Sequence, residues 1–318
     1  MNDTGAEELK YLLSRRRFVA AAAALAATPL IPWKALALSQ APYTFTQGDF
    51  EVTVVSDGEL ALPIDAFLAD ATPDERVEIV KRLGWTEPNG SPKTNHALLR
   101  KGDDVILLDT GSGTKFQPTA GKLLDNLKAA GVDPAAVTKV ILTHGHPDHV
   151  WGTTDASGAL RFPNASYYVG AAEWDFWMDP ELINKVPAQM GDFVKGAQRE
   201  FTAVKDKVTM IKPGDDVVTG IRALDTAGHT PGHLSFEVAG GEGLIVTVDS
   251  VLNDVIYFEH PEWKFGFDTV PDLAIQNRKA LLDRAATDKI KLLGYHWTSP
   301  GVGLAERKGN AYVFVAAS

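Results

Sequence analysis

The sequence predicts an α/β protein built as a four-layer αββα sandwich, with two β-sheets inside and helices outside. Strand-like segments fill two separated stretches of the 318-residue chain, near 43–63 and 208–248. Short apolar runs at 105–108, 140–142 and 291–293 read as buried strands, and segments of helical period lie between and after them. That order, strands and helices and then strands and a final helix, suits two sheets packed face to face with helices on the outside.

Residues 43–63 alternate apolar and polar (Phe45, Phe50, Val52, Val54), with turns at Gln47-Gly48-Asp49 and Asp57-Gly58. Thr72 and Pro73 start a short helix over 72–83. Val105-Ile106-Leu107-Leu108 is a buried strand ending at Asp109-Thr110-Gly111. Leu123, Leu124 and Leu127 give 119–130 a helical period that Gly131 stops. Val140-Ile141-Leu142 is a strand that runs straight into His144. A strand is expected over 166–169, a helix over 171–178, an amphipathic helix over 272–286 and a strand at Lys291-Leu292-Leu293. Without a low-complexity linker or a strong internal repeat, 41–318 reads as one domain.

Composition excludes several functions. The net charge of −10 argues against nucleic-acid or anionic-membrane partners, which need a basic surface. There is no cysteine, so disulfides, thiolate zinc sites and a cysteine nucleophile are ruled out. No Gly-x-Ser-x-Gly elbow is present, and neither Gly121-Lys122 nor Gly111-x-Gly113 completes a phosphate-binding loop.

The N-terminus carries an address. Ser14-Arg15-Arg16-Arg17-Phe18-Val19-Ala20 is close to the twin-arginine export signal, with Ala20 where lysine is usual. An uncharged, alanine-rich stretch from Phe18 to Trp33 follows, too short and too weakly apolar for a stable membrane span. Ala35-Leu36-Ala37 offers small residues at the positions a signal peptidase reads. Residues 1–37 are therefore expected to be a twin-arginine signal peptide cleaved after Ala37, with a periplasmic or secreted product. The twin-arginine machinery moves folded proteins, which suits one that loads metal before leaving. The remaining chain would carry 38 acidic and 26 basic residues.

The chemistry concentrates in Thr143-His144-Gly145-His146-Pro147-Asp148-His149. Four metal-capable side chains follow an apolar strand directly, and Gly145 and Pro147 let the loop fold so that they converge. His144 and His146 can serve one ion, and Asp148 and His149 can turn toward a second. A catalytic tetrahedral ion needs three protein ligands and an open position, so both sites need residues from elsewhere. Three candidates occupy suitable places. His229 lies in the Gly/Pro turn Gly228-His229-Thr230-Pro231-Gly232-His233, Asp249 ends the apolar run 244–248, and His296 follows Leu292-Leu293-Gly294-Tyr295.

With these motifs in order, the chain resembles the metallo-β-lactamase-fold hydrolases over essentially its whole length after residue 40. The resemblance implies that His144, His146 and His229 hold one metal ion, that Asp148, His149 and His296 hold the other, and that Asp249 bridges them. It further implies that Asp109 fixes the tautomer of a ligand histidine. With the ligand count full, His96 and His233 are expected to be structural and His260 a solvated loop residue.

Within the superfamily the likeness is to methyl parathion hydrolase and its lactonase relatives. It is carried by Gly48-Asp49-Phe50-Glu51-Val52-Thr53, Leu108-Asp109-Thr110-Gly111, Phe116-x-Pro118-Thr119, Ala129-Ala130-Gly131 and Phe162-Pro163-Asn164-Ala165. Asp175-Phe176-Trp177, Lys195-Gly196-Ala197 and Pro300-Gly301-x-Gly303 add to it. Phe116, Trp177 and Phe193 fall where that enzyme keeps aromatic residues around the leaving group. The chain departs at Val248-Asp249-Ser250, where glycine usually precedes the aspartate, and over 250–270, a segment expected to line the pocket.

The resemblance implies a dinuclear hydrolase. Two divalent cations sharing a water lower its pKa from ~16 toward ~7 and polarise the substrate oxygen. Asp148 and Asp249 would orient the hydroxide and accept its proton. Zinc is the expected metal, and manganese, iron or cobalt would also suit the carboxylate-richer second site. Organophosphate triesters are the first expected substrates, with an N-acyl-homoserine lactonase or arylesterase as the alternative. A β-lactamase is disfavoured by the bridging Asp249 beside a full histidine set. An opened lactone needs a proton donor, and Tyr257 is the candidate. The phosphotriesterase relatives imply a homodimer.

Overall fold

The structure, a computed structural model, describes residues 42–317. The expected signal peptide 1–37 and its cleavage site lie outside the described residues. Two seven-stranded sheets form the centre. The first contains, in spatial order, β1 (Tyr43–Gln47), β2 (Phe50–Glu59), β3 (Lys93–Lys101), β4 (Asp104–Leu108), β5 (Lys139–Leu142), β6 (Ser166–Gly170) and β7 (Val208–Ile211). The second contains β8 (Asp216–Val218), β9 (Ile221–Asp225), β10 (Leu234–Val238), β11 (Leu244–Val248), β12 (Lys291–Gly294), β13 (Val302–Lys308) and β14 (Ala311–Ala316).

Alternation along each strand builds the layers. Ile106, Leu108 and Ile141 face Phe236, Val246 and Leu293 of the other sheet. Their neighbours Leu107, Val140 and Leu142 point outward, onto a helical layer that supplies Leu127, Val150 and Phe201. On the far side, Ile245 and Leu292 pack on Leu281, Leu282 and Ala285. The helices are α1 (Pro73–Leu83), α2 (Leu123–Ala129), α3 (Pro147–Val150), α4 (Ala171–Met178), α5 (Gly191–Val204) and α6 (Pro271–Asp288), with shorter turns at Ile64–Leu68, Leu182–Lys185 and Ile256–Glu259. The αββα order is the one the sequence predicts. No helix among the described residues is long and apolar enough to cross a membrane.

Local chemistry explains the boundaries. Thr72 and Glu75 form a reciprocal capping box on α1, and Gly84 closes it in the left-handed region. α2 starts at Leu123, later than the expected 119. The backbone N–H groups of Ser112, Gly121 and Leu123 all donate to the buried Asp57 carboxylate of β2, which holds 119–122 as a turn. The sequence reading passed over α5, because Gly191 and Gly196 weaken its helical signal. Gly196 is needed there: a Cβ would sit 2.2 Å from the Trp151 ring.

Parallel pairing sets the active edge. β4 and β5 run parallel with Leu108 opposite Ile141, so Asp109 and the 143–149 loop leave the first sheet side by side. β11 and β12 run parallel with Val248 opposite Gly294, so Asp249 and His296 leave the second sheet the same way. Four sequence-distant segments thus end at one edge of the sandwich.

Candidate active site

Three imidazole nitrogens converge first. His144 Nε2 is 3.1 Å from His146 Nδ1, and His229 Nε2 is 2.9 Å from the same atom. These contacts are not a hydrogen-bonded network. His144 Nδ1 lies 3.1 Å from Thr143 Oγ1, which itself donates to Asp109, so the imidazole N–H points there. His229 Nδ1 donates to Asp268 Oδ1 at 2.9 Å. In the neutral imidazoles, the form that binds metal, both Nε2 atoms are therefore lone pairs aimed at His146 Nδ1, which carries at most one hydrogen.

The second group repeats this logic. His149 Nδ1 donates to Asp109 Oδ2 at 2.7 Å and His296 Nδ1 to the Lys93 carbonyl at 2.8 Å, leaving each Nε2 free. His149 Nε2 lies 3.3 Å and His296 Nε2 3.4 Å from Asp148 Oδ2. Asp249 spans both groups. Its Oδ1 is 3.4 Å from His149 Nε2, and its Oδ2 is 3.3 Å from both His229 and His296 Nε2.

These spacings fit metal ions. Ligands about 2.0–2.1 Å from a tetrahedral ion are separated by about 3.3 Å. His149 Nε2, Asp148 Oδ2 and Asp249 Oδ1 are buried without a hydrogen-bond partner, a costly state for protein atoms alone. His144, His146, His229 and Asp249 form one candidate four-ligand group, and Asp148, His149 and His296 a second.

Electrostatics agree with the donor set. Burial drives the His144 and His146 imidazoles well down, to the neutral form that ligates. Burial would also lower His229, but Asp249 and Asp268 push it up to about 9. Burial alone would raise Asp148 and Asp249, yet the imidazoles around them, His149 and His296, hold both below the ordinary carboxylate range. Carboxylates that hold protons on neighbouring imidazoles would equally hold divalent cations.

Two backbone positions beside the site lie in the left-handed region. Val248 has φ +49° and Asp109 φ +63°. A β-branched residue rarely adopts that region, at a cost of order 1–3 kcal/mol. The Asp249 N–H donates to His233 Nε2 at 3.2 Å, fixing the turn that follows Val248.

Above the two candidate ligand groups lies a cleft of about 400 Å³, including its open mouth. Leu60, Leu62, Phe116, Phe193, Leu252, Phe265 and Phe267 wall it, and His146, Asp148, His229, Asp249 and His296 reach its floor. Segment 250–270 contributes three of those walls. Of the three aromatic residues expected around the substrate, Phe116 and Phe193 line this cleft, in edge contact with centroids 6.0 Å apart.

Trp177 does not. It is 2% exposed, lies under Gly145 where a Cβ would come within 2.4 Å of its ring, and donates Nε1–H to Glu173. Its task is to support the ligand loop, so its expected role against substrate is corrected. Tyr257 is also corrected. Its hydroxyl is buried without a hydrogen-bond partner behind Phe265, under the Arg278 guanidinium, and does not reach the cleft. His260 is half-buried and stacked on Trp263 at 3.7 Å rather than simply solvated.

Three further residues escaped the sequence reading: Asp268, which orients His229; Arg278, fully buried against Asp268; and Glu173, which accepts from both ligand loops. A stripe signal existed for Arg278. It shares the buried face of α6 with Ala274, Leu281, Leu282 and Ala285.

His96 is buried, donates Nδ1–H to the Leu108 carbonyl and meets Tyr295 through Nε2. Burial pushes it from 6.5 down to about 4. Below pH 6.5 the unfolded chain takes up a proton that the folded one refuses until about pH 4, so this stabilisation is full above 6.5 and fades as pH falls. His96→Gln is expected to flatten the fall in denaturation midpoint over that window relative to the wild type. An identical slope in both proteins would contradict this.

The model of the "Metallo-beta-lactamase superfamily" matches residues 92–295, a span that contains every one of the ligand candidates except His296. The chain belongs to this superfamily. The N-acyl homoserine lactonase AttM of Agrobacterium fabrum is 35% identical over 138 residues, 40% of this chain and 46% of that protein. The chain thus spans about half the length of the lactonase relatives it matches. Among solved superfamily structures, AidC, a dizinc quorum-quenching lactonase in complex with its product, superposes with a TM-score of 0.82 at 26% identity. That match covers 88% of this chain and 98% of AidC. The hydrolase AbOPH superposes with a TM-score of 0.81 at 30% identity, covering 87% of this chain and 98% of AbOPH.

Proposed function

We propose that the chain is a dinuclear metal-dependent lactonase for neutral cyclic esters that carry an apolar acyl chain, such as N-acyl homoserine lactones. One observation carries this. The shared carboxylate of Asp249 lies at the floor of a cleft whose walls are aliphatic and aromatic and whose lining, among the described residues, includes no lysine or arginine. Away from the metal positions the walls offer an anionic group no counter-charge, whereas an acyl chain would find apolar walls along its length. The lactonase relatives support the same choice. They favour the alternative expected from sequence over the phosphotriesters that came first there.

His144, His146 and His229 would hold one ion, Asp148, His149 and His296 the other, and Asp249 both. Bound there, the two ions supply a nucleophile from water at neutral pH and polarise the ester carbonyl. Asp148 and Asp249 present carboxylate oxygens at the cleft floor, where they orient the attacking water and accept its proton. Asp109 and Asp268 accept the Nδ1–H of His149 and His229 and so turn each Nε2 toward the place of an ion. The walls exclude bulk water and hold the acyl group. Export to the periplasm or medium belongs to the same proposal and rests on the segment Ser14–Ala37.

A phosphotriester with an aryl leaving group is the second reading, favoured by the Phe116–Phe193 pair and the resemblance to methyl parathion hydrolase. Comparison of N-butanoyl and N-octanoyl homoserine lactones with a nitrophenyl phosphotriester separates them. Each buried methylene is worth about 0.8 kcal/mol, about fourfold in kcat/KM. The octanoyl lactone is therefore expected to be the best of the three. A phosphotriester rate above both lactones, or no gain with chain length, would overturn the lactonase reading.

A further inference from the structure

Glu173 stands in the first turn of α4, directly after β6, and is completely buried. Its two oxygens divide between the two ligand loops. Oε1 accepts the Gly145 N–H at 2.8 Å and the Trp177 Nε1–H at 2.5 Å. Oε2 accepts the Thr230 hydroxyl at 2.7 Å and the Gly232 N–H at 3.0 Å. Gly145 separates His144 from His146, and Thr230 follows His229. One carboxylate therefore joins a loop from the first sheet to a loop from the second.

Packing makes the same junction tight. A Cβ on Gly145 would meet the Trp177 ring at 2.4 Å, and one on Gly232 would meet the Glu173 backbone nitrogen at 2.1 Å. Both loops thus rest on α4 as closely as backbone allows. Four donors on one buried carboxylate hold their positions far more firmly than solvated loops would.

We propose that Glu173 is a positioning residue whose two oxygens set the spacing of His144 and His146 from His229, and so the affinity of the imidazole-rich metal position. This rests on the reading of those three histidines as metal ligands. Glutamine at this site keeps the shape but offers only one acceptor oxygen, so one loop loses its tether and faces an amide N–H₂ instead.

The test is a Co²⁺ titration of the chelator-stripped protein, followed by visible d–d absorption and by competition with a metal chelator. The wild type is expected to take up two Co²⁺. Glu173→Gln is expected to bind one of them about 10–100-fold more weakly, with loss of the same visible band that His229→Ala removes, while the other Co²⁺ is held as before. Thr230→Val deletes a single donor and is expected to weaken the Co²⁺ binding read at the same band about fivefold, which keeps the idea testable if Glu173→Gln does not fold. Unchanged Co²⁺ affinity in a folded Glu173→Gln variant overturns the proposal. Equal weakening of both positions, in step with a lowered melting temperature, marks a merely structural role and overturns it too. If the wild type binds no Co²⁺, the ligand reading itself fails, and this inference with it.

Discussion

Replacing Asp249 with alanine is expected to lower kcat about 10³-fold or more on the best lactone substrate, while the chain stays folded. Among the described residues, Asp249 is the one side chain that faces both candidate metal groups, with Oδ1 toward His149 and Oδ2 toward His229 and His296. Its loss would take a ligand from each position and the negative charge that keeps two cations close together. Losing that charge stabilisation in the transition state is worth several kcal/mol, and about 4 kcal/mol corresponds to about 10³-fold. The fold does not depend on the carboxylate in the same way. Asp249 Oδ1 accepts no hydrogen bond, and the backbone N–H that anchors the turn to His233 remains. Steady-state kinetics with circular dichroism checks this. A variant within tenfold of the wild-type kcat would show that no bridging carboxylate is needed.

The largest effect on stability is expected from Arg278→Met. The guanidinium is fully buried, donates to the carbonyls of Ser250, Pro261 and Trp263, lies 3.4 Å from Asp268 Oδ2 and covers the Tyr257 ring. Methionine fills much of the volume but leaves three carbonyls unpaired and Asp268 charged without its partner. Breaking a buried pair in this way costs about 3–5 kcal/mol. For a domain of this size that is a fall of about 6–20 °C in melting temperature. Asp268 orients His229, so weaker metal retention should accompany the fall. Adding Asp268→Asn should recover part of the loss by removing the stranded charge. A melting point within about 2 °C of the wild type would refute this role for Arg278.

Ligand residues were legible in the sequence because each one ends an apolar strand or sits in a turn between two. Val140-Ile141-Leu142 before His144 and Leu244–Val248 before Asp249 announce buried strands, and polar residues at their ends have few other uses. The residues that orient those ligands carry no such mark. Asp268 lies in Gly266-Phe267-Asp268-Thr269, which reads as an ordinary polar loop, and its contact with His229 spans 39 residues. Glu173 looks like a favourable acid in the first turn of a helix until the fold brings two loops onto it. Trp177 was misplaced because an aromatic near a ligand loop can face the substrate or brace the backbone, and only the Glu173 bond shows which. The two-sheet architecture was readable from strand order. Helix α5 was not, because its two glycines, of which the close approach of Trp151 demands Gly196, hide its period.

Whether two cations meet at Asp249 is decided most directly by metal analysis of the purified protein, with turnover measured before chelation, after it and after metal is restored. Two ions per chain are expected, with activity lost on stripping and regained on addition of Zn²⁺ or Co²⁺. Full turnover by protein freed of metal would contradict a hydrolase built on these seven side chains.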